Sequence, residues 1–274
     1  MRLPQPSVTV CFMGDDEQGD LFGEDDGSEQ ICEADMRALA GLYSDVGVDL
    51  SALSPESGRL YELSVNAFSA IIHAKMSGLP VSQAVSRFGQ KILAAADAAG
   101  MSANAAAAAE RGRTETAMRR AAELAAEDRG DPDACKVYEA AHKVRHEICR
   151  MRGLLRFAPG EDGVYAAICA PDHFILPALG EHFKKRFGGV PWAIIDEKRL
   201  FRLRHEPKKP FEFSRVSKVP KPLKTPQNDK WENMWRQYHK AINNESRYNP
   251  DLQKQFLPKR YWKHLTEMQE PPPD

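Results

Sequence analysis

The stretch 171–199, PDHFILPALGEHFKKRFGGVPWAIIDEKR, carries the pattern that decides the fold. Its first three residues predict a turn, because proline fixes φ and aspartate can bond the backbone that follows it. Residues 174–187 repeat apolar side chains at helical spacing, and the two glycines that follow end this helix. Residues 192–196, WAIID, are a short apolar run that predicts a buried strand ending on a carboxylate. The stretch therefore predicts a turn, a helix and a strand in succession.

Polar side chains at the turn, in the helix and at the strand end predict a site. Asp172 and His173 belong to the turn, His182 to the helix and Asp196 to the strand end. Turn tips and strand ends often carry catalytic groups, and these four residues can activate water, directly or through a metal. The alternative is structural: Asp172 caps the following helix and Asp196 pairs with Arg199. The spacing matches no nuclease, glycosylase or ligase motif, so we favour the alternative and predict no autonomous enzymatic activity.

The periodicity of the apolar residues predicts an α+β fold. Helices are predicted over 35–43, 53–79, 80–99, 103–126 and 133–153. The pattern changes to alternation at Leu154, and strands are predicted over 154–157, 164–169, 192–196 and 200–205. Further helices are predicted over 231–242 and 245–255. We therefore expect a helical N-terminal layer packed on a small mixed sheet, with C-terminal helices folded back on it.

Changes in composition set the expected domain boundaries. Residues 1–34 form an acidic segment with one short strand, and 35–206 hold the helical layer and the sheet. Residues 207–226 are rich in proline and lysine, which predicts an extended cationic linker. Residues 227–267 are predicted to be the helical C-terminal part of the same domain, and 268–274 a tail.

Charge is divided unevenly along the chain. The formal net charge is −1, yet residues 1–135 carry 11 Lys and Arg against 22 Asp and Glu, and residues 136–274 carry 27 against 17. The basic half predicts an anionic partner, and DNA is the first choice because lysine and arginine neutralise phosphates. The alternatives are that the two halves pair with each other, or that the basic half meets an acidic protein.

Several classes of protein are excluded by composition. No run of about twenty apolar residues is present and the first residues do not resemble a signal peptide, so we predict a cytoplasmic protein without membrane contact. The five cysteines are odd in number and widely spaced, which argues against a disulfide framework, a zinc ribbon or an iron–sulfur cluster. His142 and His146 share one side of a helix, but zinc would need a third ligand from elsewhere. We predict no cofactor, with a metal left open.

A series of spaced motifs in the second half resembles a known family. The motifs are Glu147…Arg150…Gly153-x-x-Arg156-Phe157, Pro171-Asp172-His173, His182-Phe183-x-x-Arg186-Phe187, Trp192-x-Ile-x-Asp196-x-x-Arg199, Glu245-x-Arg247-x-Asn249 and Pro258-x-Arg260-Tyr261-Trp262-Lys263. They resemble a bacterial family of unassigned function labelled probable DNA metabolism proteins. The resemblance implies a radical-SAM partner linked to DNA repair or modification. It also implies kinship with domains joined to uracil-DNA-glycosylase-like domains.

Charge and resemblance together predict a nucleic-acid-binding accessory protein of DNA repair or modification, working with a radical-SAM or glycosylase-type partner. The alternatives are a DNA-acting hydrolase that uses the four polar residues, and a protein-binding scaffold without DNA contact. Aromatic rings beside Lys and Arg can stack on bases while the charges hold phosphates. Helical spacing instead favours core packing for Trp231, Trp235 and Trp262. The predicted nucleic-acid-binding residues are Arg156, Arg186, Arg199, Arg247, Asn249, Lys259, Arg260, Tyr261 and Lys263.

A short peptide near the start predicts a further partner. Gln18, Leu21 and Phe22 resemble the peptide by which bacterial repair proteins and polymerases dock on the DNA sliding clamp. Such a peptide places an aliphatic and an aromatic side chain in a pocket from a flexible tether. The alternative is a loop whose Leu21 and Phe22 pack on the core of this chain.

Overall fold

The N-terminal layer consists of helices. The computed structural model describes residues 54–106, 111–160, 163–219 and 226–269. The predicted helix at 35–43 and the clamp-like peptide with Gln18, Leu21 and Phe22 lie outside these ranges. The helices of the layer are α1 (Pro55–Leu63), α2 (Val65–Lys75), α3 (Ser82–Ala106), α4 (Arg111–Ala126) and α5 (Pro132–Leu154).

One sheet follows the helical layer along the chain. Its strands, in spatial order, are β1 (Ala158–Pro159), β2 (Tyr165–Cys169), β3 (Trp192–Asp196), β4 (Phe201–His205) and β5 (Glu212–Arg215). Strands β2 and β3 are parallel and are joined by α6 (Leu176–Phe187), whereas the other neighbouring pairs are antiparallel. Helix α6 packs against β3 and β4, where the rings of Phe183 and Trp192 meet at 6.1 Å. The predicted helix at 174–187 and the strands at 192–196 and 200–205 are confirmed.

The C-terminal part folds back on the rest of the chain. It consists of α7 (Pro226–Ala241), α8 (Pro250–Phe256) and the 3-10 helices Glu245–Arg247, Lys259–His264 and Thr266–Met268. The second 3-10 helix contacts β2, and the third contacts α7. Helices lie on both sides of the small mixed sheet, so the predicted α+β fold, with its helical layer and returning helices, is confirmed. Among the helices of the described ranges, none is long and apolar enough to cross a bilayer.

The single helix predicted over 53–79 is two helices. Ser54 caps α1 and Pro55 starts it, as predicted. Ser64 then adopts an extended conformation, with φ −154° and ψ 99°, and its side chain accepts the backbone N–H of Ala67. This new cap ends α1 and begins α2, because serine competes well for backbone hydrogen bonds outside a helix.

A glycine at position 100 predicts the end of a helix, but the helix does not end there. Helix α3 continues through it to Ala106. A Cβ atom at this position would approach the Sδ atom of Met118 on α4 to 3.1 Å. Gly100 therefore allows two helices to approach closely.

Two short segments differ from their predicted structure. Leu154 belongs to α5 and the N–H of Leu155 still bonds to Met151, so the strand predicted over 154–157 is wrong and β1 begins only at Ala158. Residues 212–215 lie within the predicted linker but pair with β4. Phe211 and Phe213 pack against the core and fix this edge strand, an apolar signal that the surrounding prolines and lysines mask.

Candidate functional site

The carboxyl ends of the two parallel strands bring polar residues together. Cys169 and Asp196 are paired at the ends of β2 and β3. The turn at 171–173 follows the first strand and Lys198 and Arg199 follow the second. Segments that leave the carboxyl ends of parallel strands meet at the same edge of a sheet, which is where α/β folds commonly bind ligands.

Glu147 holds the turn from the side of α5. Its two carboxylate oxygens accept the backbone N–H groups of Asp172 and His173, each at 2.8 Å. The hydroxyl of Tyr261 donates to the same carboxylate at 2.6 Å. Glu147 is only 3% exposed, so these three donors replace its water. Hydrogen bonds to a charged acceptor are the strong ones, and here they fix the turn against the helix.

Arg199 holds the same turn from the side of β3. Its guanidinium donates to the carbonyl oxygens of Pro171 at 3.2 Å and Asp172 at 2.7 Å. It also donates to the buried carboxylate of Asp196 at 3.0 Å. Burial raises the pKa of Asp196, while Arg199 favours the charged carboxylate. Asp196 therefore acts behind the turn, by holding Arg199 in place.

A cleft of about 350 Å³ opens beside the turn. The lining side chains are His142, Lys143, His146, Glu147 and Arg150 from α5, Asp172 and His173 from the turn, and Arg260 from the second 3-10 helix. The Asp172 carboxylate accepts from Lys198 at 2.8 Å and pairs with Arg260 at 3.0 Å. Partial burial opposes ionisation of Asp172, but the two cations outweigh it and hold its pKa below the usual range.

His173 is fixed in orientation by the backbone. The N–H of Gly78 donates to Nδ1 of His173 at 3.3 Å. Burial lowers the pKa of this imidazole, which favours the neutral ring. A neutral ring that accepts at Nδ1 carries its hydrogen on Nε2, so His173 offers a donor on that side.

A family comparison covers this part of the chain. Residues 114–267 match the model of a family described as a domain of unknown function, DUF4130, which is 154 of the 274 residues. The chain belongs to the DUF4130 family. Every residue that lines the cleft lies inside the DUF4130 match, whereas Gly78 precedes it. No curated protein and no solved structure matches the chain. Membership of a family without an assigned function is thereby confirmed.

The four predicted polar site residues do not all reach the cleft of this DUF4130 domain. Asp172 and His173 line it. Asp196 acts through Arg199, as the structural alternative proposes. His182 lies on α6, outside the lining, with its ring edge-on to Phe183 at 4.8 Å.

Five predicted nucleic-acid-binding residues of the DUF4130 domain make contacts with other parts of the same chain. Arg156 pairs with Glu267 and Arg199 holds the turn. The others are Asn249, which caps α8, Tyr261, which is buried on Glu147, and Lys263, which pairs with Glu197. The exposed members of the predicted set are Arg186, Arg247, Asn249, Lys259, Arg260 and Lys263.

Glu147 is a residue of the site that the sequence pattern did not predict. It lies on the buried face of α5, between Val144 and Ile148. A carboxylate on the apolar face of a helix is a signal in itself, because an ionised group is buried only where donors meet it. His142 and His146, which share one side of α5, lie on the cleft wall with their ring centroids 4.7 Å apart. Within the described ranges, no group of three or more His, Cys, Asp or Glu has the geometry of a metal site.

The aromatic face of α7 is exposed. Trp231 is 62% exposed and Tyr238 55%, and the rings of Trp235 and Tyr238 lie 5.8 Å apart. Core packing predicted for Trp231 and Trp235 is therefore wrong, because the main contact of α7 is the short 3-10 helix Thr266–Met268. Trp262 is half-buried.

Replacing Tyr261 by phenylalanine tests the contact with Glu147. We expect the free energy of unfolding to fall by about 1.5–3 kcal/mol at neutral pH, because the hydroxyl donates to a charged group. Burial, and then the bond to Glu147, raise the pKa of Tyr261. A folded-state pKa above the unfolded value keeps this stabilisation complete below about pH 10, and it is lost as the pH rises further. Urea unfolding at a series of pH values measures the difference.

The control for this substitution is Tyr165→Phe, whose side chain is more exposed. We expect it to change stability little. A Tyr261→Phe loss that stays constant from neutral to alkaline pH would contradict the assignment.

Proposed function

We propose that this chain binds single-stranded DNA and acts as an accessory protein in DNA repair or modification, together with a radical-SAM or glycosylase-type enzyme. The exposed aromatic face of α7 carries the proposal. Its rings, Trp231, Trp235 and Tyr238, lie within about two turns of a helix that makes few other contacts. Exposed rings at this spacing can stack on successive unpaired bases, an interaction worth about 1–3 kcal/mol per base.

The C-terminal part of the chain that carries this face has a net charge complementary to a nucleic-acid strand. Residues 226–269 carry 8 Lys and Arg against 5 Asp and Glu, a net charge of +3. Arg247 is exposed beside the exposed ring of Tyr248, and the Nζ of Lys259 lies 5.8 Å from the Trp262 ring centroid. Aromatic rings beside cations favour a single strand, because a duplex keeps the faces of its bases covered.

The accessory role is supported by the state of the carboxylates in the cleft. Glu147 accepts three internal hydrogen bonds, and Asp172 is held by Lys198 and Arg260. A general base must offer an oxygen to a substrate or to water, and here the oxygens face protein donors. The resemblance to probable DNA metabolism proteins supplies the class of enzyme partner.

Substitution of Trp231 tests the aromatic face. We expect Trp231→Ala to weaken binding of a fluorescent single-stranded oligonucleotide by roughly 5- to 150-fold, since about 1–3 kcal/mol of stacking is lost. Fluorescence anisotropy of the full-length protein measures the affinity. The affinity of the unmodified protein for the oligonucleotide should also fall steeply as salt is added. Binding to phosphates releases counterions from the strand, and added salt opposes this release.

The matched control is Gln237→Ala, an exposed position on another side of the same helix. It should leave the affinity unchanged. Equal affinity of Trp231→Ala and the unmodified protein, or binding that does not respond to salt, would contradict the proposal. Loss of enzyme-partner capture in Trp231→Ala with unchanged DNA affinity would instead identify the face as a protein-docking surface.

A further inference from the structure

The cleft beside the turn offers hydrogen-bond donors in excess. Lys143 and Arg150 reach it from α5, and Arg260 reaches it from the second 3-10 helix. Three permanent cations thus line the cleft from two segments that are far apart in sequence. Arg260 also pairs with Asp172, and Arg150 also donates to the carbonyl oxygen of Gln255 at 3.5 Å. The pair between Lys143 and Glu139 is exposed on the helix surface, and such pairs are weak enough for a stronger anion to displace.

The acceptors in the same cleft are already engaged. Glu147 faces two backbone N–H groups and the Tyr261 hydroxyl, and Asp172 faces Lys198 and Arg260. A cationic ligand would therefore find no carboxylate without a donor in this lining. An anionic ligand would meet lysine and arginine donors directly.

Histidines complete the donor set. The rings of His142 and His146 lie side by side along the wall formed by α5. His173 accepts from Gly78 at Nδ1, which leaves its Nε2 hydrogen as a donor. Imidazoles of this kind can donate to an anion in either protonation state.

We propose that this cleft binds a phosphate monoester group. A terminal phosphate presents three unbridged oxygens and about two negative charges, whereas a diester in the middle of a strand presents two oxygens and one charge. Arginine matches these oxygens in a bidentate manner, and lysine adds a point charge. The cleft volume of about 350 Å³ accommodates the phosphate together with part of the molecule that carries it.

Two sources can supply this group. One is the phosphate at the end of a nucleic-acid strand, a source that rests on the proposed function. The other is a small phosphorylated metabolite, for which the aromatic face of α7 has no role. The chemistry recognised in the cleft is the same in both cases.

Calorimetry on the full-length protein tests the site, with inorganic phosphate and a nucleoside 5′-monophosphate as probes. We expect both probes to bind, and Arg150→Gln and Lys143→Gln each to weaken binding at least about tenfold, which is 1.4 kcal/mol. Lys136→Gln, which removes the same charge from an exposed position on the same helix, should leave the affinity unchanged. Absence of binding, or equal affinity in all variants, overturns the inference.

Oligonucleotides separate the two sources. Single strands with a 5′-phosphate, a 3′-phosphate or no terminal phosphate are compared by anisotropy. Tighter binding of one phosphorylated strand, lost in Arg150→Gln, supports the site and assigns it to strand ends. Binding of the monophosphate alone, without any strand, supports the phosphate site but contradicts the proposed function. Binding of all strands with equal affinity, together with no binding of phosphate, overturns the inference and leaves the proposed function standing.

Discussion

Glu147→Ala is expected to lower the free energy of unfolding by about 3–5 kcal/mol, the loss typical of breaking a buried charged contact. The substitution removes the acceptor for the N–H groups of Asp172 and His173 and for the Tyr261 hydroxyl. These donors lie in a partly buried turn and a buried side chain, so water replaces the carboxylate poorly. The turn should loosen and the cleft should lose its shape together with stability.

Urea unfolding followed by circular dichroism measures this loss. Glu139→Ala is the matched control, because Glu139 lies on the same helix with its side chain 68% exposed. It should change stability little. Glu147→Gln should fall between the two, because its amide keeps one acceptor oxygen but turns an N–H₂ group toward a donor. A loss in Glu147→Ala no larger than that in the control would remove Glu147 from its assigned role.

Arg199→Ala is expected to lower the free energy of unfolding by a similar amount, about 3–5 kcal/mol. Asp196 is fully buried and would lose its counter-charge, and the carbonyl oxygens of Pro171 and Asp172 would lose a donor. Arg199→Lys should recover only part of this loss, because an ammonium cannot bridge three oxygens in the plane of a guanidinium.

The pH dependence of the Arg199→Ala loss has a definite sign. Burial already raises the pKa of Asp196, and removal of Arg199 would raise it further. The contact between Arg199 and a charged Asp196 therefore stabilises the fold at neutral pH and fades as the pH falls and Asp196 takes up a proton. Arg87→Ala, which breaks an exposed arginine–aspartate pair, serves as the control and should be nearly neutral. A loss that grows toward acidic pH would contradict this account.

Much of the fold follows from local signals in the sequence. Apolar periodicity located α5, α6, β3 and β4 to within a few residues, and a proline marked the turn at 171–173. The predicted helix boundaries are wrong where the three-dimensional surroundings of a single residue determine whether a helix ends. Ser64 starts a new helix although the apolar repeat continues through it, and Gly100 stays helical at a point where Met118 packs closely against it. The spacing of apolar residues predicts neither of these features.

The candidate site was predictable only in part. Asp172 and His173 stand at a turn that the sequence marks, so they could be found. Their anchors, Glu147 and Tyr261, lie 25 or more residues away and become visible only when the chain is folded. The face of α7 illustrates a different limit. Helical spacing shows that Trp231 and Trp235 share a side, but it does not show whether another element covers that side.

The hydrogen bond between Glu147 and Tyr261 joins residues 114 positions apart. Because of this separation, the bond can form only late in synthesis of the chain. A ribosome releases α5 and the turn well before it releases residue 261. Until then, the carboxylate lacks its third donor and the cleft lacks the wall formed by Arg260. Contacts this distant along the chain form late, because closing a long loop costs entropy before it is rewarded. Completion of the cleft is thus a late event in the folding of a nascent chain, and a chain truncated before residue 260 lacks one of its walls.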